Sequence, residues 1–96
     1  MENCCKTKKR GEAEQKTLLN RLNRIEGQVR GIKKMVEQDA YCVDILTQVS
    51  AVESALASFS REILGTHIRE CVVRDVKADK YETVDELVTV VERLMK

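Results

Sequence analysis

Cys42, His67 and Cys71 are the residues of this chain best suited to chemistry. His67 is the only histidine, and in "THIREC" it precedes Cys71 by four residues. That spacing stacks two side chains on one face of a helix. On a wheel of 100° per residue, Cys42, His67 and Cys71 fall within about 40° of one another. The same face carries Ile45, Val49 and Ile63, so all three groups are expected to point inward. One inward Cys usually acts as a small hydrophobe, and one inward His is usually a satisfied core residue. Three on one stripe point to metal or thiol chemistry.

Two thiolates and one imidazole form a soft set of low coordination number. Cu(I) suits it best, because thiolates select that ion. Zn(II) is the main competitor and needs a fourth ligand, for which Glu86, Tyr41 and water are available. The three ligands cannot meet within one chain on a continuous helix. Cys42 and His67 are 25 residues apart, which is about 37 Å of helix. In an antiparallel pair of such helices, Cys42 of one chain meets His67 and Cys71 of the other, and a two-fold axis makes two identical sites. Cys4 and Cys5 have no partner nearby in sequence and are read as incidental thiols of a basic, disordered arm over residues 1–12.

The elements that must position these groups follow from hydrophobic spacing. The chain has 96 residues, no Pro, four Gly and few aromatics, which suggests one helical domain over residues 13–96. Leu18, Leu22, Ile25, Val29, Ile32 and Val36 alternate at steps of four and three, a heptad seam on a first helix from about Ala13 to Gln38. "EQDAY" breaks the pattern as a turn. A second helix begins near Tyr41 and carries Ile45, Val49, Val52, Leu56, Phe59 and Ile63, with His67 and Cys71 extending its face. "KADKY" is a connector. "TVDE", residues 83–86, has the form of a capping box with Thr83 as N-cap and Glu86 reaching back. It opens a short third helix with Val84, Leu87, Val88, Val91, Leu94 and Met95 on one face. The expectation is an all-α protein of three helices, the first two forming an antiparallel hairpin, with apolar stripes buried in an oligomer.

The net charge of +1 hides an asymmetry: residues 1–36 hold 10 Lys and Arg against 4 Asp and Glu, and the remainder holds 7 against 12. A basic end invites a polyanion. Within "RLNRIEGQVRGIKK", residues 21–34, Asn20, Gly27 and Gly31 lie opposite the seam, flanked by Lys16, Arg24, Arg30 and Lys34, with Lys33 beside them. Two mid-helix glycines cost about 2 kcal/mol relative to Ala. Small residues among cations let a phosphate backbone, or another helix, come close. No established DNA-binding motif is present, so DNA binding would use an unconventional surface. No apolar run approaches the roughly 18 residues of a membrane span, and no signal peptide is seen. The expectation is a cytoplasmic protein without a membrane partner, whose thiols stay reduced. With one His, no carboxylate pair on the apolar face and no phosphate loop, an enzyme is not expected.

"RLNRIEGQVRGI", "YCVDIL" and "HIREC" together resemble the copper-sensitive operon repressors, the CsoR family, over almost the whole chain from about Leu18 to Leu94. The resemblance implies an all-helical protomer whose hairpins pair into a four-helix-bundle dimer and then a dimer of dimers. It implies operator DNA bound by the metal-free protein and released on Cu(I) binding between subunits. By position it implies Cys42 from one chain with His67 and Cys71 from the other as ligands. Tyr41 and Glu86 become the neighbours that couple the site to release, and Arg21 an operator contact. Two other readings stand beside it. One is a repressor sensing electrophiles or persulfide through Cys42 and Cys71. The other is a metal-buffering protein with no DNA role.

Overall fold

In a computed structural model, residues 10–95 are described, and Cys4 and Cys5 lie outside them. The described residues contain helices α1 (Glu12–Glu37), α2 (Cys42–His67), a π-helical turn (Ile68–Val72), α3 (Val73–Lys77) and α4 (Glu82–Leu94), and no strand. The π turn and α3 continue the line of α2, so the three-helix expectation holds. Contacts divide the chain between Glu62 and Ile63 into two compact units.

The first unit is a helical hairpin. α1 carries Glu12 and Glu14 in its first turn and Lys34 in its last, the charge order that favours the helix dipole. It ends at Asp39, whose φ of 56° is left-handed. Asp39 N–H donates to Val36 O at 3.2 Å, and Ala40 N–H to Met35 O at 2.9 Å. This is a Schellman stop, with Asp where Gly is usual. Tyr41 then supplies the carbonyl that accepts from the Asp44 and Ile45 amides and starts α2. The direction reverses within four residues. Arg21 on α1 meets Ser58 and Glu62 on α2, positions almost symmetric about the turn, so the two helices run antiparallel.

The heptad seam splits in two. Leu18 and Ile25 are buried and Ile32 is half-buried, and across from them Val52 is buried. The alternate positions, Leu22, Val29 and Val36, stay exposed, as do Val43, Leu46 and Leu56 on α2. One side of the seam closes the hairpin, and the other carries an open apolar stripe.

The second unit runs from Ile63 onward. Here the expectation of an unbroken α-helix through Cys71 is corrected. Val73 N–H donates to Ile68 O, five residues back, which marks a π turn. Four-residue spacing fits either geometry, so periodicity alone does not reveal the extra residue. α4 packs on this turn, and Cys71, Val72 and Thr83 are the buried residues of this unit. The second connector repeats the device of the first. Asp79 has φ 63°, Lys80 N–H donates to Asp75 O at 2.7 Å, and the Tyr81 carbonyl accepts from the Val84 and Asp85 amides.

That geometry overturns the capping box. The residue before α4 is Tyr81, without a side-chain cap. Thr83 lies inside the first turn, buried, with Oγ1 unpartnered. The Asp79 stop and the Tyr81 carbonyl begin the helix earlier than Thr83 would.

One further expectation is corrected. Cys42–Lys77 contains an 18-residue window of mean hydropathy 1.2, long and apolar enough by length and composition to cross a membrane. A scan for uninterrupted apolar runs misses it, because the window's polar members are mostly small Ser and Thr residues rather than charges.

Candidate functional site

The three metal-ligand candidates are divided between the two units, Cys42 in the hairpin and His67 and Cys71 in the second unit. Cys42 is the first residue of α2 and is exposed, while His67 is its last residue and half-buried. Cys71 sits in the π turn with 2 % of its surface exposed. A 26-residue helix separates its ends by about 37 Å. Among the described residues no three His, Cys, Asp or Glu side chains converge in one protomer. Two thiols and an imidazole are donors that would suit a soft ion, but they are not brought together among the described residues of one protomer.

Around His67 the second unit forms an open cleft of about 690 Å³, lined by Leu64 and His67 on one side and by α4 on the other, including Glu82, Asp85, Glu86 and Arg93. Glu86 therefore shares a cleft with His67. Glu82 and Asp85 were not singled out from sequence. They lie one turn or less before Glu86, and the pattern Glu82, Asp85, Glu86 on one helical face was the available signal. Tyr41 is 69 % exposed and immediately precedes Cys42, so it lies beside that candidate rather than in the cleft of His67 and Glu86.

The cations of α1 divide into two groups. Lys16, Arg24, Arg30, Lys33 and Lys34 are exposed. Arg30, Lys33 and Lys34 line a shallow depression of about 460 Å³ together with Gly27, Gly31 and Glu37. A Cβ added at Gly31 would meet nothing within 4 Å, and at Gly27 only the end of Arg30. Packing within the protomer therefore does not demand either glycine. Arg21 differs. Its Nη1 donates to Ser58 Oγ at 3.1 Å, and Nη2 pairs with Glu62 Oε1 at 3.1 Å. The ion pair is about two-fifths exposed, so it adds at most about 1 kcal/mol to the hairpin. The resemblance implied Arg21 as an operator contact, and nothing in the sequence pointed to either of these partners.

The family model described as metal-sensitive transcriptional repressor matches residues 14–93, from the start of α1 nearly to the end of α4. The chain belongs to the metal-sensitive transcriptional repressor family. Its members are repressors and not enzymes. Within this family the chain is 45 % identical to the copper-sensing transcriptional repressor CsoR of Bacillus subtilis over 84 residues, covering 86 % of this chain and 83 % of that one. It is 57 % identical to the copper-sensing transcriptional repressor RicR of Mycobacterium tuberculosis over 56 residues, 58 % of each chain. Among solved structures it resembles the copper-sensing repressor CsoR with Cu(I) from Geobacillus thermodenitrificans, at a TM-score of 0.88 and 38 % identity, covering 92 % of this chain and 93 % of that one. The nickel-responsive regulator InrS matches at a TM-score of 0.70 and 40 % identity, covering 81 % and 89 %. One metal-sensitive repressor fold thus serves different metals, and the ligand set must carry the distinction.

Proposed function

We propose that this protein is a Cu(I)-responsive transcriptional repressor of the cytoplasm. It binds operator DNA when metal-free and leaves it when Cu(I) occupies Cys42 of one subunit with His67 and Cys71 of its partner. The observation that carries this reading is the ligand set itself. Two thiols and one imidazole, the donors Cu(I) prefers, stand at opposite ends of one helix. An antiparallel two-fold pairing of α2 unites them twice. The copper-sensing relatives support the choice of metal.

Bound Cu(I) supplies a soft link between the start of one subunit's α2 and the end of its partner's. The chain's own residues do the rest. Cys42, exposed at the helix start, is available to a second subunit. Cys71 is fixed by the turn on which α4 packs. His67 keeps one ring nitrogen for the metal and offers the other to the cleft that Glu86 lines, the arrangement by which ligands are usually oriented. Leu22, Val29, Val36 and Leu56 provide the apolar surface for pairing. Each is roughly half covered within the protomer already, so pairing adds about half of the ~1.5–3 kcal/mol of a whole side chain, which together offsets part of the cost of association. The basic face of α1, with Arg24, Arg30, Lys33 and Lys34, tracks the DNA backbone. Zn(II) would need a fourth ligand and is the weaker competitor.

The test is a gel shift on the DNA upstream of the protein's own operon, with and without Cu(I), joined to an anaerobic Cu(I) titration against chelators. Metal-free binding abolished by one Cu(I) per chain is expected. Copper binding without any DNA affinity would instead make this a metal buffer. DNA release by persulfide or an electrophile but not by Cu(I) would make it a thiol sensor.

A further inference from the structure

Arg21 on α1 reaches across the hairpin to α2. Ser58 and Glu62, four residues apart, form a single stripe on α2. Ser58 Oγ accepts a hydrogen bond from Nη1 and Glu62 Oε1 forms an ion pair with Nη2, at 3.1 Å each. A guanidinium has five donors in a rigid fork; Ser58 and Glu62 engage two of its nitrogens and the side chain is 41 % exposed, so donors remain for a further acceptor. We propose that Ser58 and Glu62 are positioning residues for operator recognition. They hold Arg21 in the orientation in which it meets a DNA phosphate, and the Glu62 charge limits how tightly that phosphate is held. This deepens the reading of α1 as the operator-binding helix and rests on it.

A free arginine loses much rotamer freedom when it is fixed on a phosphate. Here the hairpin has restrained the side chain already, which favours binding. Glu62 acts in the opposite sense as well. A phosphate on the remaining donors of Arg21 shares the guanidinium with a carboxylate a few ångströms away, and like charges so placed repel. The pair therefore combines geometric readiness with a moderated affinity. That combination suits a repressor that must be released by an effector whose coupling is typically about 5- to 150-fold.

The experiment titrates the full-length, metal-free protein onto fluorescent DNA from upstream of its own operon across a salt series. The proteins are the parent, S58A, E62Q, R21A and the R21A/E62Q double variant, each with a melting curve. E62Q keeps an oxygen that can accept from Arg21 and removes the charge. It is expected to tighten binding about three- to tenfold at low salt, the size of a directly coupled pair, with a steeper salt dependence. In the R21A background the same change should have little effect. S58A should weaken binding about two- to fivefold, the worth of one hydrogen bond, without altering the salt slope. A purely structural role would show as a shifted melting curve with an unchanged salt slope for E62Q, and for S58A as a loss of binding that tracks a loss of melting temperature. Equal effects of E62Q with and without Arg21 would mean simple net charge and would overturn the proposal, as would an S58A protein that binds like the parent. Should E62Q fail to fold, S58A carries the test, since it removes only a hydroxyl. R21A binding like the parent at every salt concentration would overturn the operator role of Arg21, and this proposal with it. Additive effects beside a weakened R21A would overturn the proposal alone.

Discussion

Cys42 and His67 are the first and last residues of the same helix, so the helix that presents both also keeps them apart. Under the proposed pairing, C42A and C71A should each fail to bind Cu(I) at the three-residue site. Mixed, unfolded and refolded together, they should regain it. In a heterodimer, one intact site forms from Cys42 of the C71A chain with His67 and Cys71 of the C42A chain. Random mixing should restore about a quarter of the parent's capacity. A mixture that binds no more than its components would exclude a shared site.

His67 and Glu86 line one cleft, and this separates holding the metal from reporting it. Cys42 and Cys71 should dominate affinity, since thiolates are the stronger Cu(I) donors. His67→Ala should still bind Cu(I) yet release DNA poorly, losing most of a coupling of about 1–3 kcal/mol. Operator affinity measured for the variant with and without saturating Cu(I) decides this. A drop as large as the parent's would reduce His67 to a ligand only.

Gly31 has open space where a Cβ would stand. Gly31→Ala should therefore raise protomer stability by up to about 1 kcal/mol through helix propensity. If DNA approaches the α1 backbone there, the same variant should bind operator more weakly. Urea midpoints and gel shifts on one preparation give both numbers, and a gain in stability with unchanged DNA affinity would move the DNA contact elsewhere on the helix.

Asp39 occupies the left-handed position that ends α1. A non-glycine residue there costs about 1 kcal/mol or more, and glycine returns part of the gain through the unfolded chain. Asp39→Gly should stabilise by roughly 0.5 kcal/mol, whereas the β-branched Asp39→Val should destabilise by more than 1 kcal/mol, as strain at this position is larger for such residues. Both are read from denaturation midpoints.

Thr83 distinguishes two accounts of how α4 begins. With Oγ1 buried and unpartnered, Thr83→Val should be neutral or mildly stabilising. A hydroxyl that capped the helix would cost about 1 kcal/mol on removal, and such a loss in thermal denaturation would restore the capping box.

What was legible in the sequence was whatever repeats. The heptad spacing placed α1 within a residue at each end, Ala13–Gln38 expected against Glu12–Glu37 found, and "EQDAY" and "KADKY" marked both connectors. Their shared Asp-x-Tyr pattern, in which Asp turns the chain and Tyr starts the next helix, was present and went unread. The π turn was not legible, because His67 and Cys71 keep the same spacing in either helix type. "TVDE" satisfied the capping pattern while the start of α4 was decided by the backbone upstream. The partners of Arg21 lie 37 and 41 residues away, and no local pattern reports a contact across a hairpin. For the candidate site, residue types suggested the donors and helix length their separation, and completion of the set by a second chain is part of the proposed function.

The divided seam has a consequence for a cell that makes more than one repressor of this family. Leu22, Val29 and Val36, left open by the hairpin, are attractive to any similar stripe, because apolar burial has no direction. Fidelity then falls to the polar residues beside them, which must disfavour a foreign subunit as well as welcome an identical one. A hybrid would unite ligands from two proteins, and a gene tuned to one signal would answer another. The edges of the stripe, as much as the metal ligands, would then keep neighbouring circuits insulated from each other.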